Sequence, residues 1–165
     1  MRYINAFILF IFQPLRICKA EAGNRINKKM KILVMGLPGS GKTYLTERLV
    51  PLLDAAWYNA DKVRNMSNDW DFSNEGRARQ SMRMKTFADF EKSQGRYVVC
   101  DFVCPTKETR ENFDADIVIW LDTIKEGRYE DTNKLFQDPD RVDFHITEWN
   151  DHNHEDVAKE ILKNV

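Results

Sequence analysis

The sequence predicts a single-domain α/β fold, a parallel β-sheet flanked by helices. From Met30 onward, short apolar runs alternate with longer helical patterns, as in strands joined by crossover helices. A length of 165 residues suits one domain with a sizeable core. No internal repeat, low-complexity segment or linker divides it.

The elements follow in order. Residues 32–35 are a short buried strand, and a glycine-rich loop over 36–43 leads from it into a helix. That helix, 43–53, is amphipathic through Leu45, Leu49, Val50, Leu52 and Leu53. Residues 55–59 form a second strand that ends in Asn-Ala-Asp-Lys-Val-Arg, 59–64. A helix over 76–93 is rich in arginine and turns Met82, Met84, Phe87 and Phe90 to the core. Residues 96–101 make a strongly apolar third strand. Pro105 opens a short helix that ends before Phe113, and 117–121 is the fourth strand. Residues 126–139 read as polar and irregular, 141–146 as a last strand and 154–165 as a closing helix.

The loop carries the clearest chemistry. Gly36, Leu37, Pro38, Gly39, Ser40, Gly41, Lys42 and Thr43 spell G-x-x-x-x-G-K-[ST] between a strand and a helix. The glycines let the backbone curl so that successive N–H groups point at phosphate oxygens, and the helix start adds its positive dipole end. Lys42 is placed to reach the β- and γ-phosphates, and the Thr43 hydroxyl to ligate Mg²⁺. The expected ligand is ATP with Mg²⁺, and the expected fold is that of the P-loop NTPases.

Composition narrows the function classes. Net charge is −1, with 31% charged and 42% hydrophobic residues, and no basic stripe speaks for wrapping duplex nucleic acid. Cys18, Cys100 and Cys104 form neither a disulfide framework nor a metal spacing. The last two read as reduced, semi-buried thiols of a cytoplasmic protein. Residues 1–29 stand outside the pattern. Positions 3–12 are apolar apart from Asn5, too short a run to span a bilayer, and Ala20-Glu21-Ala22 imitates a cleavage site. The expectation is a dispensable extension before a domain of residues 30–165, with no membrane partner.

Ligands of parallel sheets bind beyond the carboxyl ends of the strands. Asp61 and Arg64 follow strand two; Asp101, Phe102, Cys104 and Pro105 stand at or after the end of strand three; Asp122, Thr123 and Arg128 follow strand four. Asp61 is the candidate base for an acceptor hydroxyl, and the arginines are candidates for phosphate charge. Arg77, Arg79 and Arg83, close after Phe72-Ser73, suggest an anionic second substrate, here a small-molecule nucleotide.

From Met30 to the end the chain resembles the adenylylsulfate kinase family, P-loop kinases of nucleoside-monophosphate-kinase-like architecture. They phosphorylate the ribose 3′-hydroxyl of adenosine 5′-phosphosulfate. The family's G-L-x-G-S-G-K-[ST] is matched over 36–43, and its D-G-D-N-x-R in part by Asn59-Ala-Asp61-Lys-Val-Arg64. Its F-S-x-x-x-R with downstream Asn and Arg is echoed by Phe72-Ser73, Arg77, Gln80 and Arg83. Val103-Cys104-Pro105 is similar to a strand end followed by S-P, and Leu121-Asp122-Thr123 to V-D-T. Arg128 resembles the lid arginine, and Lys134 and Phe136 resemble the lid K-x-F.

The resemblance implies catalytic roles for Lys42, Asp61 and Arg128. It implies an acceptor site of Asp61, Arg64, Phe72, Arg77, Gln80, Arg83, Phe102, Cys104, Lys134 and Phe136, with Phe72 and Phe136 enclosing the adenine. Thr43, and Asp101 through a water, are the candidate Mg²⁺ ligands. Asn59 replaces the family's first aspartate, Cys104 replaces a serine, and the lid from Arg128 to Phe136 is short. Direct in-line transfer is therefore expected. The competing readings are a polynucleotide 5′-kinase and a nucleotide-binding switch without phosphotransfer. Homodimerisation is left open.

Overall fold

The computed structural model describes residues 29–163. The expected extension up to position 28, Cys18 and the last two positions of the closing helix lie outside the described residues. Five strands make one sheet in the order β2-β3-β1-β4-β5, every pairing parallel. The strands are β1 Lys31–Gly36, β2 Ala56–Asn59, β3 Val98–Asp101, β4 Ile117–Leu121 and β5 Phe144–Ile146. The helices are α1 Lys42–Leu53, α2 Ala60–Met66, α3 Asn74–Ser93, α4 Lys107–Phe113, α5 Glu130–Leu135 and α6 Asn153–Lys163.

β1 is central and buried along its whole length. Its side chains alternate between two cores, as the two-residue strand period requires. Ile32 and Val34 join Leu45, Leu49, Val157 and Ile161 under α1 and α6. Leu33 and Met35 join Met84, Ala88, Phe113 and Val118 under α3 and α4. This sheet covered on both faces explains the nearly unbroken apolar runs.

Register sets the functional edge. Val34 pairs with Asp101, Asn59 pairs with Asp101, and Gly36 pairs with Leu121. The carboxyl ends of four strands therefore open on one rim.

The structure corrects the expected helices at three places. Residues 60–66 form α2, capped by Asn59, whose side-chain oxygen accepts from the Lys62 N–H at 3.0 Å. A helix this short shows no apolar period to read. In α3 the buried stripe is Gly76, Gln80, Met84, Ala88 and Glu91, while Met82 and Phe90 are exposed and Phe87 is half-buried. The stripe opens on a glycine because the loop before α3 comes close there: a Cβ at Gly76 would lie 2.4 Å from the Asp71 carbonyl oxygen. Within the stretch expected to be irregular, 130–135 is helix α5. Cys100 and Cys104 are fully buried free thiols, not semi-buried ones.

Candidate active site

The phosphate loop is shaped by the sheet beneath it. Gly36 takes φ 146°, and a Cβ there would come within 2.4 Å of the Leu121 carbonyl oxygen, so no other residue fits. Gly41 takes φ 92° as the left-handed residue before α1. The Thr123 hydroxyl donates to the Ser40 carbonyl at 2.8 Å and ties the loop to the segment after β4.

Lys42 is not the solvent-facing cation that its loop position suggests. It is half-buried, and its ammonium donates to the carbonyls of Gly36 at 3.0 Å and Leu37 at 2.9 Å. Burial lowers its pKa to about 8, against Asp101 and Asp61, whose charges raise it.

Beside it lies a closed network. Asp101 is 2% exposed; its carboxylate accepts from the Thr43 hydroxyl at 3.0 Å, Asn59 Nδ2 at 2.8 Å and Trp57 Nε1 at 2.8 Å. Burial raises the Asp101 pKa, while these donors and Lys42 hold it down. The hydroxyl of Thr43 and the carboxylate of Asp101 form an adjacent oxygen pair of the kind Mg²⁺ takes, with water and phosphate supplying the rest. Among the described residues no group of three or more His, Cys, Asp or Glu forms an all-protein metal cage. Asn59 thus has a double role, as the cap of α2 and as a donor to Asp101. An aspartate there would set two carboxylates against each other.

Asp61 is exposed on the first turn of α2. Its charge is felt by both Lys42 and Arg64. It follows Asn59, which bonds Thr43 and Asp101, and Ala60, whose carbonyl Gln80 of α3 holds, so the start of α2 lies between the phosphate loop and the arginines of α2 and α3. Arg64 is 5% exposed, donates to the carbonyls of Asp69 at 3.0 Å and Asp71 at 2.9 Å, and lies 4.6 Å from the centre of the Phe72 ring. Burial, followed by the charges of Arg83 and Arg77, lowers its pKa, against the nearby Asp69. Arg83 pairs with Asp69 at 2.7 Å and donates to Gln80, which in turn holds the Ala60 carbonyl at 3.0 Å. Arg77 donates to the Phe72 carbonyl at 2.8 Å and pairs with Asp131 of α5. The Phe72 ring is 54% exposed.

The structure separates other candidates from this group. Phe102 is buried with its ring edge-on to Phe113 at 5.3 Å. Cys104 is buried at φ 46°, and burial pushes its thiol up to about 12, so it carries no thiolate. Lys134 is exposed and paired with Glu130 of its own helix at 2.6 Å. Phe136 packs on the core under α3 and α4 and lines a cavity of about 240 Å³ with Leu37, Trp120, Ile124 and Asn133. It makes no ring contact with Phe72 among the described residues. Arg128 follows Gly127, whose Cα is close enough to Pro38 that an added Cβ would sit 3.0 Å from it. Arg128 is exposed beside the phosphate loop.

Sequence reasoning passed over Trp57, Asp69 and Trp149. Trp57 reaches Asp101 across the sheet, and Asp69 pairs with Arg79 and Arg83 a helix away, contacts that no local motif announces. Trp149 stands after the last strand, at the rim where ligands bind.

The sequence model of the Adenylylsulphate kinase family matches residues 28–121, more than half of the chain. The chain belongs to the adenylylsulfate kinase family. A probable adenylyl-sulfate kinase of Aeropyrum pernix is 34% identical over 94 residues, 52% of this chain and 50% of that protein. This family member thus spans about half the length of the curated relative it matches. The Mycobacterium tuberculosis APS kinase CysC, solved with AMPPNP and APS, superposes with TM-score 0.61 at 17% identity, covering 82% of this chain and 96% of that one. Shikimate kinase from Acinetobacter baumannii, solved with shikimate, superposes with TM-score 0.52 at 20% identity, covering 84% and 93%. Both likenesses are of fold: the P-loop kinase architecture carries different acceptors.

Proposed function

We propose that the chain is an ATP-dependent kinase that phosphorylates the 3′-hydroxyl of adenosine 5′-phosphosulfate. The observation that carries this reading is the placement of Asp61 between the Lys42 loop and the Arg64–Arg77–Arg83 group under an open Phe72 ring. A nucleotide acceptor carrying a sulfo-phosphate and a purine suits such a pocket, where a switch protein needs neither base nor second anion site.

In this mechanism the loop N–H groups and Lys42 hold the donor phosphates, Lys42 exchanging two loop carbonyls for phosphate oxygens. Mg²⁺, held by Thr43 and by Asp101 through water, would neutralise charge on the β- and γ-phosphates. Arg64, Arg77 and Arg83 orient the acceptor anion, and Phe72 stacks its adenine. Asp61 accepts the proton of the 3′-hydroxyl as its oxygen bonds the γ-phosphorus and the bridging bond to ADP breaks. Arg128 closes over the transferring group. Phosphate passes directly to the acceptor, since the Cys104 thiol stays protonated. Catalysis is positioning and charge neutralisation.

The test is incubation with γ-labelled ATP and a panel of adenosine 5′-phosphosulfate, short oligonucleotides, shikimate and small alcohols. Label is expected on the phosphosulfate. Label on oligonucleotide ends would support the polynucleotide 5′-kinase reading instead.

A further inference from the structure

The donor phosphates have a site in this account, but nothing so far holds the donor's base. Trp149, in the loop between β5 and α6, lies directly against the phosphate loop. A Cβ at Gly41 would come within 2.3 Å of its Cζ2, so the indole rim packs on the bare glycine backbone. Tyr44, on the first turn of α1, meets the indole edge-on at 5.3 Å and 77°. The Arg48 guanidinium lies 3.5 Å from the Tyr44 ring centre and donates to the Tyr44 carbonyl at 3.1 Å, so the tyrosine is held from behind. Two hydrogen bonds order the loop: Asn150 N–H to Asn153 Oδ1 at 2.7 Å and His152 N–H to Asn150 Oδ1 at 2.9 Å.

Both rings nevertheless stay open, Trp149 at 40% and Tyr44 at 48% exposure. A fixed aromatic surface left in water beside a phosphate cradle gains by being covered with a flat ring. The loop's N–H groups cradle the α- and β-phosphates and Lys42 takes the γ end. The α-phosphate end, from which ribose and base hang, is therefore the stretch leading into α1, where these rings stand.

We infer that Trp149, backed by Tyr44, is the platform on which the donor nucleotide's base stacks, and that it reads the face of the base rather than its edge. The inference rests on the proposed donor site at residues 36–43. A face is common to all bases, so purine triphosphates should be accepted with little discrimination. The side-chain oxygens of Asn150 and Asn153 each accept one of the loop's own N–H groups, which commits these side chains to ordering the loop.

The experiment is calorimetric binding of Mg·ATP, Mg·GTP and Mg·tripolyphosphate to the full chain and to Trp149→Ala and Trp149→Phe. Trp149→Ala is expected to weaken both nucleotides by about tenfold while tripolyphosphate changes less than about twofold, and Trp149→Phe to recover most of the loss. In the wild-type chain ATP and GTP should differ by less than about fivefold, and each should quench indole fluorescence that tripolyphosphate leaves unchanged. Equal weakening of nucleotides and tripolyphosphate would overturn the inference, since the ring would then only prop the loop. Unchanged nucleotide affinity, or a preference for ATP above about a hundredfold, would overturn it too. A wild-type chain that binds neither nucleotide nor tripolyphosphate would instead overturn the phosphate-loop reading beneath it.

Discussion

Lys42 donates to carbonyls of its own loop and must release them to phosphate, and burial holds its pKa near 8. Phosphate binds the charged form. ATP affinity is therefore expected to hold below pH 8 and to fall roughly tenfold per pH unit above it, measurable by calorimetry from pH 7 to 9.5. Stability has the opposite sign. Above about 8 the folded chain releases a proton that the unfolded chain keeps to about 10.5, so stability rises with pH across that window. Lys42→Met should flatten both dependences. It should also cost the transition state on the order of 3 kcal/mol or more while leaving the melting temperature at pH 7 no lower; a loss of stability would mean that the cation holds the loop together. Asp61→Asn should lower kcat by about 10²-fold or more with little change in acceptor KM, whereas Phe72→Ala should raise acceptor KM about tenfold and spare the ATP constant. Steady-state kinetics in both substrates separates these patterns, and equal losses for both substrates in Phe72→Ala would give the ring to the fold. At this scale the phosphate loop was legible because one short motif fixes its glycines, Lys42 and Thr43, while Asp61 was a candidate only from its place after strand two. Trp57, Asp69 and Trp149 were not, since their roles appear only once β2, the α2–α3 loop and the β5–α6 loop converge.

α2 and the start of α3 are held by polar bonds as much as by apolar packing, which is why they were hardest to read. α2 owes its start to the Asn59 cap, and the buried stripe of α3 runs through Gly76, Gln80 and Glu91, so the apolar Met82 and Phe90 misled. The far end of the lid shows the same logic. The Arg110 guanidinium donates to the carbonyls of Cys104, Pro105, Gln137 and Asp138, at 3.2, 3.2, 2.9 and 3.2 Å. It bolts the segment after α5 to the turn before α4. Arg110→Ala should cost on the order of 2 kcal/mol and raise amide exchange at Gln137 and Asp138; unchanged exchange would show that the Gln137–Pro105 backbone bond suffices. Phe136 packs on the core from this same segment, so Phe136→Ala should lower the melting temperature whatever it does to acceptor binding.

Across the whole molecule, the parallel sheet and its functional rim were legible from alternating runs and one loop, because a sheet covered on both faces must be continuously apolar. Strand four was read to the residue, whereas the expected last strand shrank to Phe144–Ile146, its first residues being used in polar contacts. Arg141 donates to the Asp116 carbonyl, and the Asp143 carboxylate accepts the Val118 N–H. A chain beginning at Met30 is proposed to keep the full melting temperature and activity, since Met30 already packs on the core and its carbonyl accepts the Val98 N–H at 3.1 Å. A fall of several degrees on truncation would assign the extension a structural role. The central claim, transfer of the γ-phosphoryl to a ribose hydroxyl of the acceptor, is tested most directly by phosphorus NMR of the product formed from ATP and adenosine 5′-phosphosulfate. A new phosphomonoester signal coupled to the ribose H3′, appearing as ADP forms and slowed about 10²-fold or more with Asp61→Asn, is the predicted result. ADP accumulating with free phosphate and no new monoester would contradict it.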